Sequence, residues 1–141
     1  MNGQWFDPQS RPMITPSEVL EYLYCPRFTY FLNVMRINQN EDKRFKVLKG
    51  RRVHEERSAR NKKYLRKKIL TVKKETEVYL ADTTLGIRGI VDEILFLKDG
   101  SLSPVDYKYT QYKDHVFRTH IYQLVLYGLL IEHNYKKEVN R

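Results

Sequence analysis

Two apolar segments in the middle of the chain carry charged residues where a buried strand would not be expected to have them. Residues 85–97 and 102–109 are rich in β-branched and aromatic side chains, a composition that favours strands. The first segment contains Asp92, and the second contains Asp106 and Lys108. Charges within such strands are costly unless they are paired or bind a metal. These three residues therefore constrain both the fold and the position of any chemistry.

The turn between the two segments decides whether the three charges share one face of the sheet. Side chains alternate along a strand, so Asp106 and Lys108 share a face in either case. A two-residue turn would place Asp92 opposite Tyr107. A three-residue loop with Gly100 left-handed would place Asp92 opposite Asp106 instead. The Lys-Asp-Gly sequence suits the longer loop, so we expect all three charged residues on one face.

Two carboxylates facing each other at about 5 Å across a ladder repel, and a divalent cation can hold both in the ionised form. Carboxylate oxygens suit Mg²⁺ and Mn²⁺, which can polarise a phosphodiester and activate water. Lys108 could orient that water or stabilise the developing charge. A salt bridge between Lys108 and one aspartate, with no metal, explains the same residues. The residues alone leave both interpretations open.

Basic residues are concentrated in one part of the chain. Residues 43–74 contain 15 Lys or Arg and two acidic residues, in a chain whose net charge is +9. Such a cluster is typical of a surface that binds a polyanion, of which nucleic acid is the commonest inside cells. A solvated, lysine-rich helix face would have the same composition. Charge alone does not separate these two interpretations.

The segments around the strands are predicted to be helical. Thr15 can cap a helix that begins at Pro16, and Glu18 completes a capping box. Pro26 should break this helix, with Cys25 at the joint. Pattern and composition further predict a long basic helix at 42–68, a strand at 72–80 and a buried helix at 121–131 that ends near residues 133–134. The order predicts an α+β fold with a small, mainly antiparallel sheet flanked by helices.

Composition also predicts the domain organisation and excludes several classes of protein. We expect a flexible arm at 1–13, one domain at 14–134 and a polar tail at 135–141. Cys25 is the only cysteine, so a disulfide framework is excluded. No apolar stretch approaches 18 residues and the first residues lack an apolar signal core, which predicts a cytoplasmic protein rather than a membrane or secreted one.

Five short motifs, in chain order and with the two front segments counted together, resemble those of one nuclease group. The motifs that end in Asp92 and Lys108 are similar to the PD-(D/E)XK nuclease core, and two others resemble the histidine and QxxxY motifs of its RecB-like branch. The front of the chain resembles the CRISPR-associated RecB-like exonucleases, the fourth numbered family of Cas proteins. The matching residues are Thr15-Pro-Ser-Glu18, Tyr24-Cys-Pro-Arg27, Gly50-Arg-Arg-Val-His54, Gly89-Ile-Val-Asp92, Pro104-Val-Asp106-Tyr-Lys108 and Gln123-Leu-Val-Leu-Tyr127.

The resemblance implies a restriction-endonuclease-like core, truncated at its C-terminus relative to the family, and a metal-dependent DNA nuclease that acts on DNA ends during spacer acquisition. It implies that Mg²⁺ or Mn²⁺ is bound by His54, Asp92 and Asp106, and that Asp92, Asp106 and Lys108 are catalytic. The implied partners are DNA, the CRISPR integrase and other adaptation proteins, with no membrane.

The resemblance also assigns residues outside the metal site. Gln123, Tyr127, Arg51 and Arg52 are implied to contact DNA. Cys25 matches a ligand of the family's four-cysteine iron–sulfur cluster, but with one cysteine no cluster is expected in this chain alone. The alternative function is a non-catalytic DNA-binding or integrase-partner subunit that retains the nuclease scaffold, and binding of Mn²⁺ would distinguish the two.

Overall fold

The structure is a computed structural model that describes residues 12–37, 45–108 and 114–140, without the side chains of 45–47. The predicted arm at 1–13 thus lies outside the described residues except for its last two positions. No helix in the described ranges is long and apolar enough to cross a membrane. The helices are α1 (Pro16–Tyr24), α2 (Pro26–Thr29), α3 (Phe45–Asn61) and α4 (Arg118–Tyr135), and the strands are β1 (Thr71–Asp82), β2 (Ile87–Leu97) and β3 (Leu102–Val105).

The three strands form one antiparallel sheet in the order β1-β2-β3, which confirms the predicted α+β fold. Helix α4 packs against this sheet, and apolar residues of β2 such as Val91 and Ile94 are fully buried in the core. Burial of such side chains is the main favourable contribution to folding. The other buried residues of the same hydrophobic cluster are Leu80, Ile87, Leu102, Tyr127, Leu130 and Ile131.

The front of the chain has the capped helix that the sequence predicts. The Thr15 hydroxyl accepts a hydrogen bond from the Glu18 N–H at 3.2 Å, and the Glu18 carboxylate accepts one from the Thr15 N–H at 2.7 Å. Helix α1 ends before Pro26, which begins α2, and Cys25 at the joint is partly buried. Ile14 forms a parallel bridge with the start of β2, so this front segment is attached to the sheet.

The basic helix is shorter than the predicted 42–68. Residues 42–44 lie outside the described residues, and α3 ends at Asn61. The Asn61 carbonyl accepts hydrogen bonds from the Tyr64 N–H and from the Lys74 ammonium. The chain then passes through a short 3₁₀ turn and left-handed Leu70 (φ 60°) before β1 begins. The helix ends early because residues 62–70 must reverse the chain into the sheet.

Strand β3 is also shorter than the predicted 102–109. It ends at Val105, and Tyr109 lies outside the described residues. The ladder stops because the Tyr107 N–H donates to the Asp92 side chain rather than to a strand carbonyl. The polar tail predicted at 135–141 contributes an isolated parallel bridge between Val139 and Leu102.

The prediction that 121–131 forms a helix buried on all sides is wrong. Helix α4 buries Gln123, Tyr127, Gly128, Leu130 and Ile131, whereas five other apolar side chains are exposed by more than a third. A single three-stranded sheet can cover only one side of a helix, so the other apolar side chains remain exposed. These are Ile121, Tyr122, Leu124, Val125 and Leu129.

Candidate active site

The β2–β3 hairpin has the three-residue loop that the sequence favours. The Leu97 N–H donates to the Ser101 carbonyl, and Gly100 has a φ of 87°, a left-handed conformation that suits glycine. The last paired residues of the ladder are Glu93 and Val105. The same register places Asp92 opposite Asp106, so the predicted register is confirmed.

Asp106 lies directly after β3 and is held by two groups. Lys108 Nζ lies 2.7 Å from Asp106 Oδ2, and Gln123 Nε2 donates to Oδ1 at 3.2 Å. Only 8% of the Asp106 side chain is exposed. Burial raises the pKa of Asp106 above its usual range, the Lys108 ammonium opposes that shift, and the neighbouring charge of Asp92 adds to it. The structure therefore brings Asp92, Asp106 and Lys108 together.

Asp92 contacts a different pair of groups. His54 Nε2 on α3 lies 2.9 Å from Asp92 Oδ2, and the same oxygen accepts a hydrogen bond from the Tyr107 N–H at 2.7 Å. The His54 ring meets the Tyr107 ring edge-on with centroids 5.9 Å apart. Helix α3 thus places the imidazole against the carboxylate that faces Asp106, and the structure brings His54 to the same site.

Gln123 and Tyr127 complete the inner wall of the site from α4. Both are buried, and Gln123 Nε2 lies 3.3 Å from the Tyr127 hydroxyl. Burial raises the pKa of Tyr127, which keeps its hydroxyl protonated. Gln123 hydrogen-bonds both Asp106 and Tyr127. The predicted contact of Gln123 and Tyr127 with DNA stays a prediction.

Gly89 lets Tyr127 approach β2 closely. A Cβ at this position would lie 3.1 Å from Tyr127 Cε1 and 3.2 Å from Pro16 Cδ. These distances are shorter than ordinary van der Waals contacts, so a side chain here would push α4 or α1 away from the sheet. The glycine three residues before Asp92 therefore brings the α4 wall and the start of α1 against the strand that carries this carboxylate.

The donor chemistry of the site fits a divalent cation. Asp106 Oδ2 is buried, and among the described residues its charge is balanced by the Lys108 ammonium 2.7 Å away. Mg²⁺ is commonly held by one or two carboxylates together with water, so Asp92 and Asp106 suffice for a site of that kind. Across the described ranges, no three His, Cys, Asp or Glu side chains are arranged to hold a metal together. The three-ligand set with His54 stays a prediction.

Exposed basic residues extend from the His54 helix into the turn that follows it. Arg51 and Arg52 are both exposed, and Arg52 Nε lies 2.9 Å from Glu56. Lys74 is an exception to the predicted basic surface, because its side chain is only 4% exposed and is paired with Glu93. The exposed basic residues of this part of the chain include Lys49, Arg51, Arg52, Arg57, Arg60, Lys62, Lys63, Lys67 and Lys68.

Two residues near the site are not predicted by the motifs. Glu93 follows Asp92 in the same apolar run and is fully buried, so its charge was a visible anomaly in the sequence. His120 lies on α4 one turn before Gln123. Burial lowers the pKa of His120, the Lys108 charge lowers it further, and Asp106 opposes the shift. His120 therefore lies within the electrostatic reach of the site.

The family model of the PD-(D/E)XK nuclease superfamily matches residues 55–141. The matched range contains Asp92, Asp106, Lys108, Gln123 and Tyr127. A search of curated proteins found no match. The three-stranded antiparallel sheet with flanking helices is consistent with the restriction-endonuclease-like fold of this superfamily, whose members typically use divalent metals such as Mg²⁺. Because the match covers more than half of the chain, the protein belongs to the PD-(D/E)XK nuclease superfamily.

Proposed function

We propose that this protein is a Mg²⁺- or Mn²⁺-dependent DNA nuclease that acts on DNA ends. The observation that supports this most strongly is the register that sets Asp92 opposite Asp106, with the Lys108 ammonium 2.7 Å from Asp106. Two carboxylates that can hold a divalent cation, with a lysine beside them, can support metal-assisted phosphodiester hydrolysis. Superfamily membership independently indicates a nuclease.

Asp92 and Asp106 would hold the cation, and His54 Nε2 would add a nitrogen ligand because it already lies against Asp92. When bound, the metal supplies an activated water and charge stabilisation at the phosphate. Gln123 fixes the Asp106 oxygen that Lys108 does not contact. Lys108 would use its remaining N–H groups to stabilise charge that develops on the phosphate.

DNA would be bound through the exposed basic residues of α3 and of the segment that follows it. Arg51 and Arg52 lie on the same helix as His54, so phosphates bound there would lead towards the candidate site. Contacts of this kind depend on neutralising phosphates and weaken steeply as salt increases. Gln123 and Tyr127 would act at the inner end of the substrate path, next to Asp106.

We further propose a cytoplasmic role in CRISPR spacer acquisition, with the integrase and other adaptation proteins as partners. This rests on the resemblance of the front motifs, which correspond to the capped start of α1 and to the Cys25 joint. Members of the CRISPR-associated family that these motifs resemble bind an iron–sulfur cluster through four cysteines. This chain offers one, so we expect no cluster in the chain alone.

One observation favours a second candidate, a non-catalytic DNA-binding or integrase-partner subunit. The two carboxylates already have protein partners, since His54 contacts Asp92 and Lys108 contacts Asp106. A scaffold that had lost catalysis could keep its charges balanced in this way without a metal. This candidate and the nuclease share the DNA-binding surface and differ in the use of the metal.

The deciding experiment is a paired measurement on the purified chain. Calorimetric titration with Mn²⁺ tests the site, and incubation of end-labelled linear and circular DNA with Mg²⁺ or Mn²⁺ tests cleavage. The nuclease should bind Mn²⁺, degrade linear DNA from its ends and be at least as active with Mn²⁺, because an imidazole ligand suits this softer ion. Folded protein that binds DNA but neither binds Mn²⁺ nor cleaves would establish the second candidate.

A further inference from the structure

A buried ion cluster, made of Glu93, Lys74 and Arg66, lies beside the candidate site. Only 2% of the Glu93 side chain and 4% of the Lys74 side chain are exposed, and Lys74 Nζ lies 2.7 Å from Glu93 Oε1. Arg66, whose side chain is 32% exposed, approaches the other oxygen, Oε2, at 3.5 Å from the rim of the cluster. Removing such charges from water is costly, and an apolar replacement is often no less stable. Net stabilisation of the fold therefore does not explain the buried ion cluster, so its charges require a structural role instead.

Tyr107 connects the buried ion cluster to the candidate site. Its hydroxyl donates to Glu93 Oε1 at 2.7 Å, and its backbone N–H donates to Asp92 Oδ2 at 2.7 Å. The two adjacent residues of β2 thus hold Tyr107 at its side chain and at its backbone. From the end of α3, Asn61 Nδ2 donates to the Tyr107 hydroxyl at 3.3 Å. The hydroxyl therefore joins β2, α3 and the segment after β3.

The residues on either side of Tyr107 need such an anchor. Asp106 and Lys108 lie beyond the end of β3, where no ladder hydrogen bonds fix the backbone. Within the described part of the chain, Arg57 Nη1 also holds this backbone by donating to the Lys108 carbonyl at 3.4 Å. The positions of Asp106 and Lys108 relative to Asp92 consequently depend on how firmly Tyr107 is held.

We propose that Tyr107 is a positioning residue: its hydroxyl, fixed by the buried ion cluster, sets the placement of Asp106 and Lys108 against Asp92. The catalytic part of this inference rests on the proposed nuclease function, whereas the structural part does not. Groups that orient metal ligands typically change metal affinity or activity by 10–100-fold. Tyr107 itself contacts no reacting atom, so its loss should alter placement rather than DNA binding.

The test compares Tyr107→Phe with a matched control, Tyr135→Phe. The Tyr135 hydroxyl also donates to a carboxylate of the sheet, Glu75, but it lies at the far end of α4. Each variant loses one tyrosine–carboxylate hydrogen bond and keeps its ring. Tyr107→Phe should speed hydrogen exchange of the backbone amide at position 107. It should also weaken Mn²⁺ binding about tenfold and lower kcat about tenfold, with KM for DNA unchanged. Tyr135→Phe should change none of these three quantities.

The proposal would be overturned if Tyr107→Phe and Tyr135→Phe had the same amide exchange rate at position 107, the same Mn²⁺ affinity and the same kcat. If Tyr107→Phe does not fold, Asn61→Ala removes a donor to the same hydroxyl, and unchanged exchange and Mn²⁺ affinity in that variant would overturn it as well. Wild-type protein that neither binds Mn²⁺ nor cleaves DNA would refute the nuclease function. In that case the exchange comparison still decides whether Tyr107 holds the segment, since amide exchange requires no metal or substrate.

Discussion

Asp92 accepts a hydrogen bond from the backbone N–H of Tyr107 at 2.7 Å, immediately beyond the last paired residues of β2 and β3. A carboxylate thus replaces the strand carbonyl at the point where the ladder ends. Residues 106–108 therefore leave the strand ladder, but the hydrogen bond from Tyr107 to Asp92 keeps them next to β2. The candidate site is therefore formed at a strand end, where 34% of the Lys108 side chain is exposed.

The first prediction concerns catalysis. Asp106→Asn and Lys108→Ala should each abolish cleavage while DNA affinity changes little, because the first removes a metal ligand and the second acts on the transition state. Initial rates on end-labelled DNA and binding measured by fluorescence anisotropy give the two quantities. Asp114→Asn, at an exposed position, is the charge-matched control and should cleave normally. Cleavage by both site variants at the wild-type rate would refute the assignment.

A second prediction concerns the pH dependence of stability without metal. Burial raises the pKa of Asp106 above its usual range, so the folded protein holds this proton more tightly than the unfolded chain does. The stabilisation that protonated Asp106 contributes is fully present below the pKa that this carboxyl has in the unfolded chain. It is lost as the pH rises through the pKa that the carboxyl has in the folded protein. Wild type should therefore lose stability relative to Asp106→Asn across that window.

Urea unfolding of both proteins in metal-free buffer, from about pH 4 to about pH 7, measures this difference, since carboxyl groups titrate there when their pKa is raised. Parallel pH profiles for wild type and Asp106→Asn would show that the Asp106 carboxyl has the same pKa in both states.

The third prediction contrasts two glycines. Gly89→Ala should destabilise the protein by about 1–3 kcal/mol, because its Cβ would press on Tyr127 and Pro16. Gly128→Ala should stabilise it by about 0.5–1 kcal/mol, because alanine favours the helix and the new Cβ would lie an ordinary 3.5 Å from Val139. Chemical denaturation of both variants measures the two signs. Equal destabilisation by both would contradict the packing around Gly89.

A fourth prediction concerns Cys25. Cys25→Ser or Cys25→Ala should cost about 1 kcal/mol and leave nuclease activity intact, as for a partly buried thiol at a helix joint. The purified chain should also be colourless. A brown preparation whose iron and sulfide are lost in Cys25→Ser would overturn this and indicate a cluster shared between chains.

The fifth prediction concerns DNA binding. Arg51→Ala and Arg52→Ala should each weaken binding to DNA of any sequence, and each should reduce the slope of log affinity against log salt by about 1. Titrations at several salt concentrations measure the slope. Lys136→Ala, on a described residue beyond the end of α4, is the matched control and should leave the slope unchanged. Slopes that stay at the wild-type value in both arginine variants would remove Arg51 and Arg52 from the DNA surface.

The sequence by itself determined the local features of this protein. The capping box at Thr15, the helix break at Pro26 and the three-residue loop at Gly100 depend on neighbouring residues, so short-range rules predict them. The same loop sets the register, and with it the pairing of Asp92 and Asp106. The strand pattern and the antiparallel sheet follow from composition that is also local.

Only the tertiary structure decided where these elements end and which side chains are buried. Helix α3 ends at Asn61, whose carbonyl accepts a hydrogen bond from Lys74 of β1, and β3 ends where Asp92 accepts one from the Tyr107 N–H. The buried pair of Lys74 and Glu93 joins neighbouring strands, and although Glu93 stands out in its apolar run, no local pattern shows that Lys74 is its partner. One apolar face of α4 stays exposed because a three-stranded sheet covers only the other. Each outcome depends on groups distant in sequence, which a short-range pattern does not contain.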